Sequence, residues 1–83
     1  MPKRLIVAEL WNEFSRKVIA SDAPAIQRQE MRHAFYAGAE GLLKAIERCL
    51  DPGTDATDAD LRMMEGVNQE LMDFAKAVAA GRA

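Results

Sequence analysis

The chain has 83 residues, enough for one small domain, and its 13 acidic side chains nearly balance 11 basic ones. With 49 % apolar and 29 % charged residues it lies outside the disordered class, and its slight acidity argues against a protein that coats bulk nucleic acid. No apolar run exceeds a few residues, so the sequence predicts no membrane span. The first helix is expected over about residues 5–19. Val7, Trp11, Phe14 and Val18 recur at spacings of four, three and four, which places them on one face, with Leu10 widening it. Leu5-Ile6-Val7-Ala8 is stopped at once by Glu9, so this start does not read as a signal peptide.

The break at Ser21-Asp22-Ala23-Pro24 combines two N-cap residue types with a proline that a first helical turn tolerates. A second helix is expected over about 24–50. Met31, Phe35, Gly38, Leu42, Ile46 and Cys49 form its main stripe, with Arg32, Ala39, Leu43, Leu50 and Tyr36 beside it. Asp51-Pro52-Gly53-Thr54-Asp55-Ala56 reads as a turn and Thr57 as an N-cap. Asp58 and Asp60 then fall where a helix dipole favours negative charge. The third helix is expected over about 58–80, with Leu61, Met64, Val67, Leu71, Phe74 and Val78 as its stripe and Gly81 as its stop. The fold class is therefore all-α, a three-helix unit in a single domain, with helices 2 and 3 antiparallel and helix 1 packed across them.

Size and charge point toward assembly. Of 41 apolar positions 15 are Ala, which leaves 26 larger side chains for a core. A domain this small buries only about 60 % of its unfolded surface, and oligomerisation is a common remedy. A second helix of about 26 residues is about 39 Å long, whereas a compact globule of this size is about 30 Å across. Either that helix kinks near Gly38 and Gly41, or its excess finds a partner; a homo-oligomer is expected. Phe35, Gly38, Ala39, Leu43 and Leu50 are the expected interface. Residues 1–50 hold eight basic and six acidic side chains, residues 51–83 three and seven. A basic region of one subunit could meet the acidic third helix of another, although solvated helix faces explain the same pattern.

The richest segment runs from Gln27 to Ala39. Arg32 and Tyr36 stack one turn apart at the edge of the apolar stripe, with Gln27, Arg28 and Gln29 one turn earlier. Arg suits phosphate, Tyr or Phe suits base stacking and Gln suits a base edge, so this set could grip a nucleotide-like anion. The plainer alternative is that the Arg stems cover apolar surface and the polar groups join helices. Ala34, Ala37, Gly38, Ala39 and Gly41 make one stretch thin, which suits close packing within or between subunits. His33 lacks triad partners at helical spacing, and Glu30-Met31-Arg32-His33 supplies a di-metal-type spacing once only, so no metal, cofactor or catalytic residue is assigned. A single cysteine, Cys49, excludes an internal disulfide and fits a reducing cytoplasm. It is expected to be a small core residue.

Trp11-Asn12-Glu13-Phe14, Val18, Ala23-Pro24, the run Gln29-Glu30-Met31-Arg32-His33-Ala34-Phe35-Tyr36-Ala37-Gly38-Ala39, Leu61-Arg62-Met63-Met64 and Glu70-Leu71-Met72-Asp73-Phe74 form an ordered set of landmarks. In this order the chain resembles small, mostly uncharacterised helical proteins of tailed phages and prophages of Gram-negative bacteria. The resemblance covers roughly residues 10–75 and implies a phage accessory protein, hence a place in the host cytoplasm; with no catalytic residue assigned, the expected function is non-enzymatic binding. The chain is similar in size and helical content to sponges that sequester nucleotide immune signals between subunits, though it carries no motif of a characterised sponge. The alternative expectation is a protein-binding inhibitor or adaptor that presents an amphipathic helix face to a host factor.

Overall fold

The computed structural model describes residues 3–50, 52–53 and 55–83, and over these the chain is all-helical. The helices are α1 (Ile6–Val18), α2 (Ala25–Cys49) and α3 (Asp58–Ala79), and every boundary lies within one residue of expectation. Among the described residues no helix is long and apolar enough to cross a membrane. The chain divides into two compact units, Met1–Ala45 and Ile46–Ala83.

The first unit joins α1 to the N-terminal part of α2 through aromatic packing. The Trp11 ring lies 5.9 Å from that of Phe14 and 5.5 Å from that of Phe35, and Phe14 and Phe35 are 5.3 Å apart. Trp11 is only 7 % exposed, and Val7, Phe14, Met31 and Phe35 are half-buried around it. Val18, expected on this face, is exposed. The helix ends there, and Ile19 adopts extended backbone (φ −94°, ψ 127°), so Ile19 is the residue that is buried. Leu10 is exposed as well.

A tight turn follows, closed by the Ala23 N–H donating to the Ala20 carbonyl at 3.1 Å. The Pro24 carbonyl accepts from the Arg28 N–H at 3.1 Å, which puts Pro24 at the N-cap position of α2 rather than in its first turn. Neither Ser21 nor Asp22 holds that place. From Ala25 the helix runs 25 residues, about 37 Å. It continues through Gly38 and Gly41, and nothing lies within 4 Å of where a Cβ would stand at either. Among the described residues of the first unit nothing packs closely on either glycine.

The second unit comprises the end of α2 and α3. Of the expected turn, Asp51 and Thr54 lie outside the described residues, and Gly53 has φ +126°, a conformation that favours glycine. A capping box opens α3: the Asp60 N–H donates to Thr57 Oγ1 and the Thr57 N–H donates to Asp60 Oδ2, both at 3.1 Å. A Schellman motif closes it. The Gly81 N–H donates to the Val78 carbonyl and the Arg82 N–H to the Ala77 carbonyl, with Gly81 at φ +74°.

Two expectations fail in this unit. Cys49 is exposed at the last position of α2 instead of lying in a core. Of the expected α3 stripe only Val67 is half-buried; the other protected positions of the helix are Asp60, which is buried, and Met63 and Ala77, which are half-buried. Leu61 and Met64 are exposed, and farther along Leu71, Phe74 and Val78 are exposed too, at 59 %, 62 % and 51 %. The helix has 22 residues, about 33 Å, and its unit contains besides it only the last turn of α2, the connecting turn and the C-terminal residues. Replacing Thr57 by Ala should lower stability by about 1 kcal/mol in urea unfolding, while Thr57→Ser should be nearly silent. Equal losses from the two variants would contradict the capping role.

Candidate functional site

A groove of about 670 Å³ opens between α1 and the start of α2, wholly within the first unit. Its α1 wall is Ala8, Trp11 and Asn12, at helical spacings of three and one. Its α2 wall is Ala25, Arg28, Gln29, Arg32 and Tyr36, and Ala23 of the turn closes one end. At about 100° per residue these α2 positions share one helix face, on the flank of the stripe that carries Phe35. Gln27 is rotated about 200° from Ala25 and is not part of the lining. Four of the five expected ligand residues, Arg28, Gln29, Arg32 and Tyr36, therefore come together, and Gln27 points elsewhere.

The electrostatics favour an anion. Arg28 and Arg32 line the groove, and no Asp or Glu does. The ion pairs Arg4–Glu9, Glu13–Lys17 and Glu40–Lys44 lie along their own helices or beside them. Arg28 and Arg32 form no ion pair among the described residues. They are a like-charge pair one turn apart, which costs a helix about 0.2–0.5 kcal/mol until an anion offsets it. No acidic residue occupies the first turn of α2, so the positive end of its dipole adds to the same field.

The two guanidiniums have different duties. The half-buried Arg28 donates from Nη2 to the Ala20 carbonyl at 3.2 Å and so ties α2 to the preceding turn. Its other N–H groups remain for a ligand, since a guanidinium has five donors. Arg32 is exposed and lies over the Tyr36 ring, 5.5 Å from its centroid. That contact is worth about 0.5–1 kcal/mol at an exposed site.

Sequence reasoning missed the α1 wall. Ala8, Trp11 and Asn12 form a helix face that periodicity alone could have outlined, but which helix faces which is not a local property. The remaining candidates are dispersed. His33 is exposed, and among the described residues no three His, Cys, Asp or Glu side chains group into a metal-binding set. Of the expected interface, Phe35 is engaged within the chain by Trp11, Phe14 and Tyr36, and Ala39 is half-buried. Gly38, Leu43 and Leu50 are exposed.

Compared with family models, curated proteins and solved structures, the chain finds no match in any of the three.

The division of labour between the arginines is measurable. Arg28→Ala should cost about 1 kcal/mol in urea unfolding, through loss of the bond to Ala20. Arg32→Ala should stay within about 0.5 kcal/mol of the parent, because relief of the like-charge repulsion with Arg28 offsets part of the lost contact with Tyr36. Equal destabilisation by both would contradict separate structural and ligand-facing duties.

Proposed function

We propose that the protein is a non-enzymatic binding protein that captures a nucleotide-like anion in the α1–α2 groove of a homo-oligomer. The observation that carries this reading is a groove with two guanidiniums, a phenol and an indole in its walls and no carboxylate. Arg28 and Arg32 meet phosphate, Tyr36 and Trp11 offer aromatic surface, and Gln29 and Asn12 orient the ligand. Capture is stoichiometric, so the ligand is recovered unchanged.

Assembly completes the reading. Leu43 and Leu50 on α2 and Leu71, Phe74 and Val78 on α3 are exposed apolar side chains, and the small stretch at Gly38 and Gly41 is free for a second backbone. In the proposed oligomer α3 runs antiparallel to α2, and its acidic surface meets the more basic N-terminal region of another subunit. The phage resemblance adds a setting, the host cytoplasm, and a cargo, a nucleotide signal of host immunity that a counter-defence protein would remove. The exposed α3 face also favours a second reading, in which it docks on a host protein and blocks it.

Saturating nucleotide should raise the melting temperature by roughly 10 °C or more at a hundredfold excess over Kd. Mononucleotides and cyclic dinucleotides form the test panel. Arg32→Ala should abolish the shift, and added salt should weaken it. A panel without any shift contradicts nucleotide capture. Light scattering after size-exclusion chromatography should report an oligomer; a clean monomer at micromolar concentration, with one host protein recovered at equal stoichiometry, favours the inhibitor reading instead.

A further inference from the structure

A second recess, of about 300 Å³, adjoins the cationic groove at the start of α1. Ala8 and Tyr36 line both, so the two spaces share a wall. The other walls are chemically unlike the groove. Leu5, Ile6 and Val7 are aliphatic, and the one charged lining residue, Arg4, is already paired through Nε to Glu9 at 2.8 Å. Leu5 and Ile6 are 66 % and 57 % exposed, which leaves apolar surface in water directly beside an anion-attracting site. Both volumes lie at the scale of small-molecule sites, about 300–1,000 Å³.

From this juxtaposition we infer that the two recesses form one bipartite site for a purine nucleoside monophosphate, with the phosphate on Arg28 and Arg32 and the purine ring in the Leu5–Ile6–Val7 recess beside Tyr36. This inference rests on the groove reading proposed above and adds the position and class of the ligand's ring. An inorganic anion would use only the cationic half and leave the aliphatic surface wet. An uncharged apolar molecule would leave the guanidinium pair uncompensated. A ligand with a flat apolar ring at one end and an anion at the other satisfies both. The recess side chains include no carboxylate and no carboxamide, so the ring is held by its face and its area rather than by its edge. Purines are therefore preferred over pyrimidines, and adenine and guanine are held about equally.

Calorimetric titration of the parent protein with AMP, GMP, CMP, adenosine and inorganic phosphate tests the inference. AMP and GMP should bind with similar affinity and at least about tenfold more tightly than phosphate, the fold-change of one base stacked on an aromatic side chain. CMP should be weaker than either, and adenosine weaker than AMP. Ile6→Ser, at an exposed position, should lower AMP affinity about fivefold or more and leave phosphate affinity unchanged, whereas Arg32→Ala should weaken both. Circular dichroism checks that each variant is folded. Equal affinity for AMP and phosphate, or an AMP-to-phosphate ratio unmoved by Ile6→Ser, overturns the ring pocket and leaves the anion groove standing. Absence of binding by every probe overturns the groove reading itself.

Discussion

Trp11 holds α1 against α2, and the first unit depends on that contact. Its ring meets Phe14 on its own helix and Phe35 on the next, at 5.9 and 5.5 Å. A chain of this length has a total stability of about 4–12 kcal/mol. Truncating a buried Trp or Phe costs about 3–5 kcal/mol, a large share of that total. Aromatic pairing contributes about 0.5–1.5 kcal/mol per pair beyond burial. The same indole is also a wall of the groove, so one side chain both joins α1 to α2 and shapes the groove between them.

The groove is built against local helix energetics. Two like charges sit one turn apart on α2, and no acid in its first turn compensates the dipole. Each effect costs about 0.2–1 kcal/mol, and an anion bound between the guanidiniums would reverse the sign of both. The cost is small because the groove is open to water, and in the proposed complex a phosphate would turn it into a gain. The hydrogen bond from Arg28 to the Ala20 carbonyl ties the start of α2 to the turn that precedes it. The aromatic contact of Trp11 with Phe35 on one side and the tethered Arg28 on the other hold the two walls of the groove.

Features that depend on a few neighbouring residues were legible in the sequence. Thr57 and Asp60 make their capping box and Gly81 its left-handed stop because both motifs close within one turn. The Trp11–Phe14–Phe35 contact follows from apolar stripes at helical spacing, and the Arg28, Gln29, Arg32 and Tyr36 face follows from the same periodicity. Features set by what lies alongside an element were not legible. Val18 and Ile19 exchange roles because the chain leaves helical backbone between them. The α3 stripe is apolar from Leu61 to Val78, yet Val67 is its one half-buried member. Asn12 and Ala8 entered the site through the pairing of two helices, which no single helical wheel contains.

The chain has one tryptophan, and it lines the groove, so its emission reports on the site without interference from elsewhere. Titrating AMP into the folded protein while exciting Trp11 is the most direct measurement of the central claim, that the α1–α2 groove is an anion-binding site. A saturable change in Trp11 emission that disappears in Arg32→Ala is the result this account predicts. Emission that stays constant throughout the titration, or a change that survives in Arg32→Ala, would contradict it.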